Sequence, residues 1–271
     1  MSLDLQTNIS ALIAESNFNM SESSIQSSFE KLSSGYRINS AADDAAGLGI
    51  SQSMNAQIQS YGMAEENAND AVSMVQTADG SAAQIDGLLT RMRELAVEGQ
   101  NGTMSTSDVG NLNTEFTQDL AEIDRVAGDA AFNGTGLLAG AANTVNFQVG
   151  INGTTADQIS VSFGACDSAG LGVAGTTVTS ANILQTIDTA MQQLNTTRAG
   201  FGAAMNRLSD AATAIQATQT NLSSALSTVQ DTDVATETAN LAREQVLAQA
   251  GASVLSQANQ VPQLALKLLG G

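Results

Sequence analysis

Apolar side chains recur every three or four residues from Leu184 to Val229. The positions are Leu184, Ile187, Met191, Leu194, Arg198, Phe201, Met205, Leu208, Ala212, Ile215, Gln219, Leu222, Leu226 and Val229, and all but Arg198 and Gln219 are apolar. A repeat averaging 3.5 residues predicts one helix, about 70 Å long at about 1.5 Å per residue. Its seam needs other helices laid along it. Arg198 and Gln219 either fix the register of that packing or sit where the seam is half open, with Arg198 reaching out to water.

Weaker stripes of the same period predict four further helices. One covers about 3–33, through Leu5, Ile9, Leu12, Phe18, Ile25, Phe29 and Leu32, and stops at Ser33–Ser34–Gly35, where glycine supplies a left-handed cap. A second starts near Asp43–Asp44, acids that favour a helix N-terminus, and runs to about Glu98. A third spans about 107–127, and a last helix of about 234–259 is capped by Asp233. Between about 128 and 180 the period changes to two. Val145, Phe147 and Val149, then Ile159, Val161 and Phe163, alternate with polar residues around Asn152–Gly153, which predicts a hairpin or small meander. The fold class is therefore mainly α, with long antiparallel coiled-coil helices from both ends and a small β-hairpin region.

Composition narrows the function. With 3% aromatic residues, no Trp and one Pro in 271 residues, the chain suits long, closely packed helices. A net charge of −18, from nine basic and 27 acidic side chains, excludes a phosphate-neutralising surface and hence nucleic acid as a partner. No apolar run is long enough for membrane insertion. The first basic residue is Lys31, so the positive front of a cleavable signal peptide is missing. The closing Leu264, Leu266, Leu268 and Leu269 would be bare on a lone molecule, as an interaction surface is.

Candidate chemistry is sparse. The chain has no His, two Lys, and a single Cys, Cys166, which reads as a small buried apolar residue. Gly170–Gly175 (GLGVAG) matches a dinucleotide fingerprint, but TTVTS separates it from the next helix, so a loop is the better reading. No catalytic, metal or cofactor site is expected. Asn101, Asn133 and Asn152 each head an Asn-x-Thr sequon of the kind that arises by chance in an Asn-rich chain.

Several long motifs resemble bacterial flagellin. They are KLSSGYRINSAADDAAG (Lys31–Gly47), ANDAVSMVQTADG (Ala68–Gly80), RMRELAVE (Arg91–Glu98), EIDRVAG (Glu122–Gly128), FNG (Phe132–Gly134) and the stretch Thr232–Gln263. The resemblance implies a short, two-domain flagellin lacking extra outer domains. Residues 1–45 and 232–271 would form the inner domain that lines the filament channel. Residues 46–231 would form the outer helical domain, with its β-region at about 128–180.

It implies a structural subunit, not an enzyme, that leaves the cell unfolded through the flagellar type III apparatus and polymerises with itself on the extracellular flagellum. An export chaperone, the cap and the hook–filament junction proteins would be its partners. The junction protein itself is the alternative identity within the family. Inner-tube assembly would fall to Leu5, Ile9, Leu12, Leu241, Val254, Leu255, Leu264, Leu266, Leu268 and Leu269. Arg91, Leu95 and Glu115 match positions through which many flagellins meet a host Toll-like receptor, and the same residues can serve subunit contacts alone. Some flagellins are O-glycosylated, for which Thr154, Thr176 and Thr177 are candidates.

Overall fold

A computed structural model describes residues 7–269, with side chains as far as residue 260. Its elements run α1 (Ile9–Ser34), α2 (Ala45–Gly99), α3 (Thr106–Asp129), β1 (Ala131–Phe132), β2 (Thr135–Gly136), β3 (Asn143–Gln148), β4 (Gln158–Phe163), α4 (Ile183–Gln230) and α5 (Val234–Leu269). The mainly helical class and the small β-region are those the sequence predicts. The chain divides into two compact units. One comprises the residues up to Ala56 with those from Leu222 onward, and the other comprises Gln57–Asn221.

In the first unit the ends of the helices follow from local chemistry. Gly35 ends α1 in the left-handed conformation, φ 77°, and its N–H returns to the Lys31 carbonyl. Asp44 Oδ1 accepts the Gly47 N–H at 2.9 Å at the start of α2. Asp43 closes the preceding turn by accepting the Asn39 and Ser40 amides. Space at Gly47 is tight, since a Cβ there would stand 2.6 Å from the Cδ1 of buried Ile38 and force that side chain to shift. Asp233 caps α5 by accepting the Ala235 and Thr236 amides. The two linkers meet in a short antiparallel bridge, Tyr36 opposite Asp231. Arg37 N–H donates to the Gln230 carbonyl, Thr232 N–H to the Gly35 carbonyl, and Arg37 Nη2 to the Val229 carbonyl.

Helix α5 departs from expectation. Its backbone continues through Pro262 to Leu269, where the sequence predicts an end near residue 259. A proline inside a helix has no N–H for the carbonyl four residues earlier, here that of Ala258. Asn8 supplies the missing donor, its Nδ2 reaching the Ala258 carbonyl at 2.9 Å. The same side chain caps α1, with Oδ1 accepting the Ala11 N–H at 3.1 Å. One asparagine thus satisfies an orphan donor on one helix and an orphan acceptor on the other.

In the second unit α2, α3 and α4 share one core with the β-region. Ile85, Leu89, Met92 and Leu95 from α2, Phe116 and Ile123 from α3, and Ile187, Leu194, Phe201 and Leu208 from α4 are all buried in it. Helix α3 opens on a reciprocal capping box between Ser105 and Asp108. Strands β1 and β2 form a tiny hairpin across Asn133–Gly134, whose φ values of 48° and 79° suit a two-residue primed turn. The sequence reading leaves this hairpin out. Strands β3 and β4 pair antiparallel, Val145 opposite Val161 and Phe147 opposite Ile159. Ile159, Val161 and Phe163 point inward, and Phe163 meets Phe201 of α4 with ring centroids 5.6 Å apart.

The glycine-rich segment is a structured loop with no phosphate cradle. Leu171 and Val173 plug the core. Gly172 and Gly175 adopt left-handed φ, and Asp124 accepts both the N–H and the Oγ–H of Ser168. Cys166 is buried beside it, and burial, with the nearby Asp167 charge, pushes its thiol up to about 11.

Candidate assembly surface

The pairing of α1 with α5 follows a heptad on both helices. Among the partly or fully buried positions are Ala11, Ala14, Phe18, Ser21, Ile25 and Ser28 on α1, and Glu237, Leu241, Glu244, Ala248, Gly251, Leu255 and Ala258 on α5. Most are small or polar. Ser28 Oγ donates to Glu237 Oε1 at 2.7 Å, and Phe18 lies over Gly251. The Ala, Ser and Gly positions allow the two helices to approach closely, and the apolar area buried between them comes mainly from Phe18, Ile25, Leu241 and Leu255.

Other large apolar side chains lie off the seam. Ile9, Leu12, Ile13 and Met20 are between 56% and 61% exposed. At about 100° per residue they cluster on the side of α1 opposite its seam. Val246, Leu247 and Val254 of α5 also stand off the seam and are exposed. Aliphatic side chains turned outward in such a stripe mark a surface completed by other molecules. Covering what remains bare of each, roughly half a side chain, contributes about 1 kcal/mol apiece. The sum, on the order of 7 kcal/mol, only matches the roughly 4–15 kcal/mol lost on association. A single contact of this kind is marginal.

The expected assembly residues separate by this geometry. Ile9, Leu12 and Val254 belong to the outward stripe. Leu241 and Leu255 are half-buried on the seam with α1. Leu5 and the side chains of Leu264, Leu266, Leu268 and Leu269 lie outside the described residues. Ile13, Met20, Val246 and Leu247 are also exposed and are not among the expected assembly residues; the sequence carries them as a second apolar stripe out of phase with the seam.

On α4 all ten expected seam residues, Leu184, Ile187, Met191, Leu194, Phe201, Met205, Leu208, Ile215, Leu222 and Val229, are buried or half-buried. Both polar seam residues have partners. Arg198 Nε donates to Asp79 Oδ1 at 2.9 Å, and Gln219 Nε2 donates to the Ile58 carbonyl at 3.3 Å.

The three receptor-matching residues do not share a surface. Arg91 is exposed and donates to Glu115 Oε1 through Nε and Nη2, at 2.9 and 2.6 Å, and to Glu94 at 3.1 Å. Leu95 is sealed in the core at 1% exposure and offers nothing to an outside molecule in this fold. Beside the pair, Asp119 has a buried carboxylate oxygen with no partner. Burial, reinforced by Glu115, raises its pKa. Of the glycan candidates, Thr154 is exposed with its hydroxyl donating to Asp157, whereas Thr176 and Thr177 are half-buried and hydrogen-bonded within their loop.

Among the described residues no group of side chains is arranged to hold a metal ion, and no helix is long and apolar enough to cross a membrane. The described residues thus form long paired helices with aliphatic side chains left exposed, the build of a structural helical protein.

Comparison with known proteins names the assembly. The family model described as the bacterial flagellin N-terminal helical region matches residues 5–143, and that for the C-terminal helical region matches residues 184–269. Flagellin of Xenorhabdus nematophila is 37% identical over 310 aligned positions, covering 98% of each chain. Flagellin of Halalkalibacterium halodurans is 38% identical over 266, covering 97% of this chain and 98% of its own. A crystal structure of Bacillus cereus flagellin, 29% identical, covers 59% of this chain and 94% of its own at a TM-score of 0.47. The chain belongs to the bacterial flagellin family. It is a structural subunit of the flagellar filament and not an enzyme.

Proposed function

We propose that this chain leaves the cell unfolded through the flagellum's own type III export apparatus and adds to an extracellular helical homopolymer at the growing end. The inner tube is built by residues 1–45 and 232–271, and the outer layer by residues 46–231. The reading is carried by the bare apolar stripe of Ile9, Leu12, Ile13 and Met20 on α1 with Val246, Leu247 and Val254 on α5. Repeated heterologous contacts that do not close give a fibre and not a ring, and marginal pairwise contacts favour addition at an end where several neighbours already stand. Before assembly the same stripe is the natural surface for an export chaperone to cover, and the cap and hook–filament junction proteins bound the polymer at its two ends.

Electron microscopy of the purified chain incubated with short filament seeds tests this. Long tubes growing from the seeds support the filament subunit. Binding that stops after a single layer on seed ends supports the alternative, the hook–filament junction protein of the same family. Recognition by a host Toll-like receptor rests on Arg91 and Glu115 in this fold. Arg91→Ala should then weaken receptor stimulation without changing thermal stability, and equal stimulation by that variant refutes it. Thr154, exposed on the β3–β4 loop, is the favoured O-glycan acceptor, and an intact mass equal to the bare polypeptide would remove that idea.

A further inference from the structure

The tripeptide Asn-Gly-Thr occurs at 101–103, 133–135 and 152–154. Identical local sequence in three backbone settings isolates what the fold does to a shared reactivity. An asparagine followed by glycine can react with its own chain, because glycine has no Cβ to block approach of its amide nitrogen. Ring closure requires the asparagine backbone and side chain to rotate until Cγ lies over that nitrogen, so a residue held at both ends is protected.

Asn133 is held. It occupies the first central position of the β1–β2 turn at φ 48°, with Phe132 paired to Thr135 and the Leu137 N–H bonded to the Ala130 carbonyl. Asn101 is also held. Its N–H donates to the Glu98 carbonyl, its own carbonyl accepts the Met104 N–H at 3.1 Å, and its Oδ1 accepts the Thr103 N–H at 3.3 Å. Asn152 differs. It lies in an exposed bend between β3 and β4, outside the paired strands. Its carbonyl accepts only a side-chain donor, Gln148 Nε2 at 2.8 Å, and no hydrogen bond holds its carboxamide.

We infer that Asn152–Gly153 is a site of spontaneous deamidation, selected by the fold over the two other copies of the same tripeptide. Hydroxide removes the Gly153 amide proton, and the nitrogen attacks Asn152 Cγ. The new C–N bond closes a five-membered imide as the carboxamide nitrogen leaves, protonated, as ammonia. Water then opens the imide at either carbonyl, giving aspartate or its isomer linked through the side chain. One water is consumed and one ammonia released, with no change of oxidation state. Each event makes the subunit one charge more negative than −18. The isomer adds a main-chain carbon and displaces the carbonyl that Gln148 holds. A subunit that persists outside the cell would carry this mark as a record of its age.

The test is peptide mapping by mass spectrometry of the full chain held at mildly alkaline pH, native and in concentrated urea, with isoaspartyl methyltransferase labelling of the products. In the native protein the Asn152 peptide should gain the amide-to-acid mass several-fold faster than the Asn101 and Asn133 peptides. In urea the three should converge, and Gly153→Ala should slow the native reaction. Native rates that are equal, or fastest at Asn101 or Asn133, overturn the assignment. So does an excess at Asn152 that survives in urea, because local sequence and not the fold would then be selecting it.

Discussion

Asn8 and Pro262 should be coupled across the α1–α5 pair, although 250 residues separate Asn8 from the carbonyl it serves. Asn8→Ser keeps a good helix cap but cannot reach Ala258. In the natural background it leaves a part-buried carbonyl with neither a helical donor nor a side-chain one, a loss of about 1–3 kcal/mol. The exposure of this end of the pair argues for the lower figure. Pro262→Ala restores an N–H for the same carbonyl and removes a ring from a helix interior. In that second background Asn8→Ser should be nearly silent. A double-mutant cycle read by native-state hydrogen exchange of α1 and α5 amides should therefore give a coupling of about 1 kcal/mol, roughly a fivefold difference in opening equilibrium. If Asn8→Ser opens the helices equally in both backgrounds, Asn8 is only a cap and the account of how α5 passes Pro262 is wrong.

Other perturbations have distinct signatures. Gly251→Ala should stabilise α5 by up to about 1 kcal/mol from helix propensity, because its Cβ would meet Phe18 at an ordinary 3.7 Å; hydrogen exchange that speeds up would contradict the seam geometry. Leu95→Ala should cost the second unit about 2–5 kcal/mol through a core cavity, seen as a lower melting temperature, whereas Arg91→Ala should leave it unmoved. Asp233 is held below the ordinary aspartate value of 3.8 by bonds from the Thr236 hydroxyl and the Thr236 and Ala235 amides, and Asp43 by the Ser40 and Asn39 amides. A lowered folded pKa means their stabilisation is complete above 3.8 and is lost as pH falls through the folded value. Far-ultraviolet circular dichroism should show Asp233→Asn less sensitive to acid than the natural chain. Asp119, raised by burial, has the opposite sign, so Asp119→Asn should raise the melting temperature at neutral pH and change it least in acid.

The long helices were legible because their periodicity is local. Twelve apolar positions on α4, a glycine at 35 and an aspartate at 233 carry their own instructions. Period two likewise announced β3 and β4. Three features were not legible, each for a physical reason. Period alone cannot say which of two apolar stripes on one helix faces its partner, and on α5 the seam takes Leu241 and Leu255 while Val246, Leu247 and Val254 stay exposed. Much of the α1–α5 seam is Ala, Ser and Gly, set between Phe18, Ile25, Leu241 and Leu255, and these small residues carry little hydrophobic signal. The passage of α5 through Pro262 depends on an asparagine at the far end of the chain, a contact no local window contains. Leu95 shows the converse limit, since a motif gives identity at a position but not exposure.

The central claim is that the outward stripe is bare on the subunit and covered in the filament. Thiol labelling of Leu12→Cys and Val254→Cys variants, before and after seeded polymerisation, tests it directly; buried Cys166 should contribute little background. The account predicts rapid labelling of both sites in the soluble chain and strong protection in sedimented filaments. Filaments that form normally while both thiols label as fast as before would contradict it.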